Sequence, residues 1–197
     1  MAKLTLPCDE QTVRNLKVGD FLELSGRMIT GRDAAHHWLL HDFQKEVAPF
    51  LENSVIYHCG PVVKKHEDGH YSFVAAGPTT SAREEPFQAD VIGKYGLRGV
   101  IGKGGMGPKT LEGLKRYGAV YLHAVGGTAQ VLAEAVVKVE QVFQLKEFGV
   151  PEALWVIQVK GFPVVVTMDS HGGSLHAEVE KASKKKFEEI LGLSAQG

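Results

Sequence analysis

The apolar positions along the chain fall into short runs, and their period switches between two and nearly four from one run to the next. Phe21-Leu22-Glu23-Leu24-Ser25-Gly26-Arg27-Met28-Ile29-Thr30 predicts one or two short strands with a break at Ser25-Gly26. After Gly31, residues 32 to 43 contain neither Gly nor Pro, and Ala35, Trp38, Leu39 and Phe43 recur near helical spacing. Asp33 stands near the start of that helix, where a carboxylate complements the dipole. Ser54 to His58 predicts a strand stopped by Cys59-Gly60-Pro61, and Tyr71 to Ala76 another that runs into a turn at Thr79. Leu97 to Ile101 is a strand that empties into a Gly-rich loop around Lys103. Pro108 then suits the first turn of a helix through Tyr117, with Gly118 as its stop.

Ala119 to Val125 predicts a further strand, and Gly126-Gly127-Thr128 opens a helix from Ala129 to about Val139. Leu154 to Val159 and Val164 to Met168 are expected as two strands, with Asp169-Ser170-His171-Gly172-Gly173 turning away from the second. Glu178 to Leu193 is a Lys/Glu-rich amphipathic helix whose Val179, Phe187, Ile190 and Leu191 are available to a core or a partner. The early strands follow one another without crossover helices, so the pattern predicts a mixed α/β domain rather than a doubly wound parallel sheet. The expected division is one domain over residues 1–176 and a helical tail over 177–197.

Composition narrows the possible functions. The 197 residues carry 22 Lys and Arg against 23 Asp and Glu, so no global field draws the chain to nucleic acid or an anionic membrane. No apolar run approaches the roughly 18 residues a membrane span needs. The N-terminal Met1 to Pro7 lacks the apolar segment of a signal peptide, and a cytoplasmic protein is expected. The two cysteines, Cys8 and Cys59, cannot form a four-thiolate metal site alone and are expected as partly buried thiols rather than a disulfide.

The chemistry concentrates in two Gly-framed turns that each follow an apolar strand. Gly77-Pro78-Thr79-Thr80-Ser81-Ala82-Arg83 and Gly102-Lys103-Gly104-Gly105-Met106-Gly107-Pro108 set a hydroxyl, a guanidinium and an ammonium beside exposed backbone N–H groups. That inventory suits a carboxylate or phosphate. Thr79 and Arg83 lie four apart and face one pocket if a helical turn begins there; the plain alternative for Thr79 and Thr80 is helix capping. Arg32, after Gly31 at a strand-to-helix turn, is a second carboxylate fork, against the plain alternative of a surface ion pair with Asp33 or Glu46.

Lys103 precedes Gly104-Gly105 and a Pro stands where the phosphate-loop pattern would continue, while the third glycine of a dinucleotide fingerprint falls at the wrong offset with no acidic residue after it in a βα context, so ATP or NAD binding is a weaker alternative. His37 and His41 share a helix face, but Trp38 stands where a zincin needs Glu. None of the nine histidines is assigned to a metal. Lys184-Lys185-Lys186 is interleaved with acids and reads as a solvated face rather than a nucleic-acid site.

Five segments in register carry a resemblance. They are Gly31-Arg32-Asp33-Ala34-Ala35-His36, His58-Cys59-Gly60-Pro61, the Thr79 turn, the Lys103 loop, and Pro151 to Val156 with Phe162-Pro163 and Asp169-Ser170-His171-Gly172. Together they resemble the β subunit, or equivalently the C-terminal domain, of class I iron–sulfur fumarases and L(+)-tartrate dehydratases, over roughly Leu4 to His176. The resemblance implies a swivelling β/β/α domain and a hydro-lyase that reversibly hydrates fumarate to (S)-malate, or alternatively dehydrates tartrate or another hydroxy-dicarboxylate. It implies a [4Fe–4S] cluster held by a partner α subunit within a hetero-oligomer, and not by this chain. It places the carbon-proton base at Thr79 and substrate carboxylate ligands at Arg32, Arg83 and Lys103. Where many fumarases of the family carry Gly-Arg-Met, this chain has Ala82-Arg83-Glu84, an added carboxylate beside the substrate ligand. A dicarboxylate-binding module without chemistry is the alternative from another functional class.

Overall fold

Successive residues of the central strands divide between two apolar cores. In the computed structural model, which describes residues 2–191, Val55 and Tyr57 pack into one core while Ile56 packs into the other. The same division separates Ile101 from Val100, Val120 and Leu122 from Tyr121, and Trp155 and Ile157 from Leu154 and Val156. Strands buried on both faces must be apolar at consecutive positions, and this is why the sequence shows runs here rather than alternation.

The elements in chain order are β1 (Ala2–Leu6), α1 (Glu10–Arg14), β2 (Phe21–Thr30), α2 (Asp33–His41), α3 (Ala48–Leu51), β3 (Val55–Tyr57), β4 (Val62–Lys65), β5 (Tyr71–Ala75), α4 (Glu85–Tyr95), β6 (Gly99–Gly102), α5 (Pro108–Tyr117), β7 (Val120–His123), α6 (Ala129–Glu134), β8 (Val136–Phe143), α7 (Leu145–Phe148), β9 (Leu154–Met168) and α8 (Leu175–Ile190). A 3₁₀ turn over Ser81–Glu84 leads into α4.

The main sheet runs β1-β2-β3-β6-β7-β9-β8, and β9 also pairs with β2. The ladders β2–β3, β3–β6 and β6–β7 are parallel, whereas β9 is antiparallel to both β7 and β2. Those pairings close β2, β3, β6, β7 and β9 into a ring, with β1 and β8 extending it. One core lines the strand faces that carry Leu22, Leu24, Met28, Tyr57, Trp155 and Phe162; the other lies under α2, α3, α4 and α5. The hairpin of β4 and β5 packs Tyr71 and Phe73 edge-on against Trp155.

The mixed α/β class holds, and several details are corrected. The early parallel strands do have crossover helices: α1 lies between β1 and β2, and α2 with α3 between β2 and β3. At five residues α1 is too short to show a period, and Asp9 marks it only as an N-cap accepting from Thr12 N. The helix from Ala129 ends at Glu134, and Val136–Phe143 is a strand on β9, as its β-branched residues favour.

The two strands expected near the end are one, β9, which runs through Gly161 and Pro163. The break at Ser25-Gly26 in β2 sits opposite Lys160-Gly161, the register shifts there, and Gly161 N–H donates to Ser25 Oγ at 3.1 Å. Both apparent interruptions are thus the two sides of one bulge. Gly26 is required at this point: its φ is +112°, and a Cβ would stand 2.1 Å from Leu6 O of β1. Val179, Phe187, Ile190 and Leu191 are exposed, so α8 covers no core with them; Gly192 and Leu193, the expected end of that helix, lie outside the described residues. Among the described residues no helix is long and apolar enough to cross a membrane.

Candidate active site

The parallel strands β2, β3, β6 and β7 deliver their C-terminal ends to one rim of the ring, the usual place for ligands in parallel sheets. Arg32 follows β2, His58 follows β3, Lys103 follows β6 and Gly126 follows β7. The segment Pro78–Thr80 crosses this rim. Pro78 bridges to Cys59, Thr80 to Lys103, and Thr79 N–H donates to His58 O at 2.7 Å. Lys103 N–H donates to Thr79 O at 3.2 Å and Ser81 N–H to Lys103 O at 3.1 Å. Thr79 and Lys103, 24 positions apart in the sequence, are therefore locked together through backbone bonds.

Thr79 is half-buried, and its hydroxyl donates to His58 O at 3.1 Å. Neither threonine caps a helix: Thr80 precedes the 3₁₀ turn without a side-chain cap bond, and Thr79 lies outside that turn. With its proton committed to a carbonyl, the Thr79 oxygen keeps its lone pairs for a second partner. The Lys103 side chain lies against Gly126, with Cδ 3.5 Å from the position a Cβ would take there.

The two arginines share a carboxylate. Asp33 Oδ2 lies 3.6 Å from Arg83 Nη2 and 3.9 Å from Arg32 Nη2, and Glu152 Oε1 lies 3.3 Å from Arg32 Nη2. Asp33 is thus a partner of Arg32 as the sequence suggested, Glu46 is replaced by Glu152, and Asp33 draws Arg83 into the same group. Gly60 leaves room for the fork, since a Cβ there would stand 2.7 Å from Arg32 Nη1. Among the described residues, no carboxylate is within ion-pair distance of Lys103. The rim therefore carries two joined pairs: Thr79 and Lys103 tied through their backbones, and Arg32 and Arg83 on either side of Asp33, with Glu152 on Arg32 as well. A ligand carboxylate can displace Asp33 from a guanidinium fork or meet the ammonium directly.

The N-terminus of α5 is taken. Glu85 accepts from Gly107 N–H at 2.7 Å, from Thr110 N–H at 3.1 Å and from Thr110 Oγ1 at 2.6 Å. A carboxylate already seated on those donors repels a phosphate at the same place, which weighs against a nucleotide on the Lys103 loop. Both thiols are free and buried; burial pushes Cys8 up to about 11 and Cys59 up to about 12, so neither is a thiolate near neutral pH. Among the described residues no three His, Cys, Asp or Glu side chains are grouped to hold a metal ion.

Beneath the rim lies a polar layer that the sequence did not reveal. His36, His58, Ser81, Glu84 and Gln88 are fully buried. Glu84, expected beside Arg83, turns inward instead, with Oε2 4.0 Å from His58 Nδ1 and neither oxygen hydrogen-bonded. Desolvation first, and the Asp33 charge next, push its carboxyl up to about 7. A raised folded-state value means that Glu84 imposes no penalty below its ordinary range. The penalty grows as pH rises from about 4.5 towards about 7 and is complete above that. Glu84→Gln is expected to match the wild type in stability at pH 4.5 and to exceed it by roughly 3 kcal/mol at pH 8. Urea denaturation at the two pH values checks this, and parallel curves for the two proteins would refute it.

The class follows from the fold together with the sequence: an α/β ring whose rim carries Arg32, Thr79, Arg83 and Lys103. The family model described as Fumarase C-terminus matches residues 2–179. The chain belongs to that family. It is 52% identical over 188 residues to a putative fumarate hydratase class I of Geobacillus stearothermophilus, covering 95% of this chain and 36% of that protein. It is 42% identical over 187 residues to a putative L(+)-tartrate dehydratase subunit beta of Methanocaldococcus jannaschii, covering 93% of this chain and 95% of that one. With the L(+)-tartrate dehydratase subunit beta of Escherichia coli K12 the identity is 37% over 189 residues, 95% of this chain and 92% of that subunit.

Proposed function

We propose that this chain is the β subunit of a heteromeric hydro-lyase that reversibly hydrates fumarate to (S)-malate. The reading rests on one observation above the others: Thr79 and Lys103 are tied backbone to backbone at the same rim where Asp33 gathers Arg32 and Arg83. The names of the relatives support the reaction class, and the 52% identity to a putative fumarate hydratase favours fumarate over tartrate.

In this reading Arg32, Arg83 and Lys103 bind the two carboxylates of a four-carbon diacid and turn its acidic C–H towards Thr79. Removing a proton next to a carboxylate builds a second negative charge on that group, which the fixed cations stabilise. Thr79 is a weak base and takes the proton only as an alkoxide: its own hydroxyl proton, now donated to His58 O, would first pass to solvent at this half-buried position, and the neighbouring cations would stabilise the charge left on its oxygen. A [4Fe–4S] cluster would supply a Lewis acid for the substrate hydroxyl. This chain's residues do not fit as its ligands, with two thiols buried and protonated, so the reading assigns the cluster to a partner α subunit.

The test is anaerobic co-expression with a cluster-bearing α subunit, followed by assays of fumarate hydration and L(+)-tartrate dehydration. Fumarate turnover that needs both chains is the expected result. Turnover of tartrate alone would move the substrate but keep the class. Neither activity, with dicarboxylate binding by the isolated chain, would leave a binding module.

A further inference from the structure

One buried chain of side-chain hydrogen bonds runs beneath the Arg32, Thr79 and Lys103 segments. His36 Nδ1 lies 2.8 Å from Arg32 O. One terminal atom of the Gln88 amide lies 2.9 Å from His36 Nε2 and 2.8 Å from His58 Nε2. His58 Nδ1 lies 2.8 Å from Ser81 Oγ, which also receives the Tyr121 hydroxyl at 2.9 Å. Ser81 N–H reaches Lys103 O, and the His58 carbonyl receives both the amide and the hydroxyl of Thr79.

Proton accounting orients the Gln88 amide. Arg32 O can only accept, so His36 Nδ1 carries a hydrogen. Burial pushes both imidazoles below their ordinary range, which makes the rings neutral. A neutral His36 then has a bare Nε2 that needs a donor, and the NH₂ group of Gln88 is the donor within reach. Its second hydrogen serves His58 Nε2, and His58 Nδ1–H donates to Ser81. The opposite orientation, with the amide oxygen between the rings, forces an imidazolium at His36, whose two nitrogens would then both face acceptors; the outer amide atom lacks a partner in either orientation.

We infer that Gln88 is a positioning residue for the dicarboxylate site: its NH₂ group donates to both histidines and so holds Arg32 through His36 and Thr79 through His58. The inference rests on the proposed hydro-lyase reading for what the site binds, but the orientation of the amide does not. The charged and titratable groups facing the two rings are Asp33 and His37 of α2, Arg83 and Glu84 of the 3₁₀ turn, and each ring for the other.

Gln88→Glu separates positioning from packing. A carboxylate of the same size only accepts, so both Nε2 atoms must then be protonated. In the reconstituted complex Gln88→Glu is expected to lose about 10–100-fold in turnover at pH 8 and to regain activity towards acid pH, where the carboxylate helps the rings to charge. Gln88→Met, which keeps the volume and removes both polar atoms, is expected to lose turnover without that recovery. Nitrogen-15 NMR of the isolated wild-type chain is expected to show His36 and His58 as neutral Nδ1–H tautomers. Nε2–H tautomers or imidazolium rings in the wild type would overturn the inference even where Gln88→Glu fails to fold. So would a Gln88→Glu pH profile superimposable on that of the wild type. An inactive wild-type complex whose rings are Nδ1–H tautomers refutes Gln88 as a positioning residue for hydration, along with the hydro-lyase reading. An active complex with the wrong tautomers refutes this inference alone.

Discussion

If Thr79 is the base of the proposed hydro-lyase, Thr79→Ala is expected to lower turnover of the reconstituted complex by about 10²–10⁴-fold, the range over which a positioned acid or base acts. The fold should survive the change. Thr79 is half-buried, and the bond lost from its hydroxyl to His58 O is worth about 1 kcal/mol. The backbone bonds from Thr79 N–H to His58 O and from Lys103 N–H to Thr79 O do not involve the side chain, so Lys103 stays in place. KM for the diacid should therefore change little, because the proposed carboxylate ligands Arg32, Arg83 and Lys103 are untouched. A loss confined to kcat is the signature of a group that acts on the reacting atoms rather than on binding.

Thr79→Ser should fall between the two. It keeps the oxygen but loses the methyl that restricts rotation about the first side-chain bond. Thr79→Val, which keeps the shape without the oxygen, should resemble alanine. Steady-state kinetics of the four complexes, with gel filtration to show that each assembles, decide the matter. A kcat for Thr79→Ala near that of the wild type would remove this residue from the reaction.

What the sequence revealed of this site depended on local punctuation. Arg32, Thr79 and Lys103 each stand within two residues of a Gly or Pro, and each follows an apolar strand-like run, so turn chemistry and strand period marked them together. The helix Pro108–Tyr117 was legible end to end for the same reason: Pro108 opens it, and Gly118 closes it in a left-handed conformation. The helix α4 carries matching marks, Pro86 near its start and left-handed Gly96 at its end, yet Gly93 weakens its internal signal. That glycine has a packing reason that sequence alone does not show, because a Cβ there would stand 2.5 Å from the Tyr117 ring of α5.

Ser81, Glu84 and Gln88, and the reach of Asp33 to Arg83, were illegible for a different reason. Their roles lie in contacts with distant positions: Gln88 meets His36 across 52 residues and His58 across 30. A buried polar residue on a helix leaves no periodic trace, and Glu84 read only as a carboxylate beside Arg83, since charged residues are rarely fully buried. The helix projected through Val139 failed on the converse point. Local signals at Thr128 opened it, but the pairing of Val136–Phe143 with β9 decided where it ended.

Gly102→Ala is expected to disturb the whole rim from one methyl group. A Cβ at this position would stand 1.8 Å from Ser81 Oγ and 3.1 Å from the Tyr121 hydroxyl. Ser81 has nowhere to retreat: it is fully buried, bonded to His58 and Tyr121, and its N–H is committed to Lys103 O. Relief must come from the backbone of β6 or of the Thr79 segment, and either movement shifts Lys103 against Thr79. Overpacking of this kind costs about 3 kcal/mol, which for a domain of this size lowers Tm by roughly 6–12 °C. Unlike Thr79→Ala, the variant should lower kcat and raise KM together, since the proposed base and a proposed carboxylate ligand move together.

The double variant Gly102→Ala/Ser81→Ala separates the clash from other causes. Ser81→Ala alone leaves His58 Nδ1 and the Tyr121 hydroxyl without their shared partner, a loss of about 1–3 kcal/mol. If the Ser81 oxygen is what the new methyl meets, the double variant should be more stable than the sum of the two single losses predicts, by about 1 kcal/mol or more. Strict additivity in urea denaturation would mean that the strain lies elsewhere. In that case the space between β6 and the Thr79 segment is looser than the distances imply, and the site does not depend on a bare Cα at Gly102.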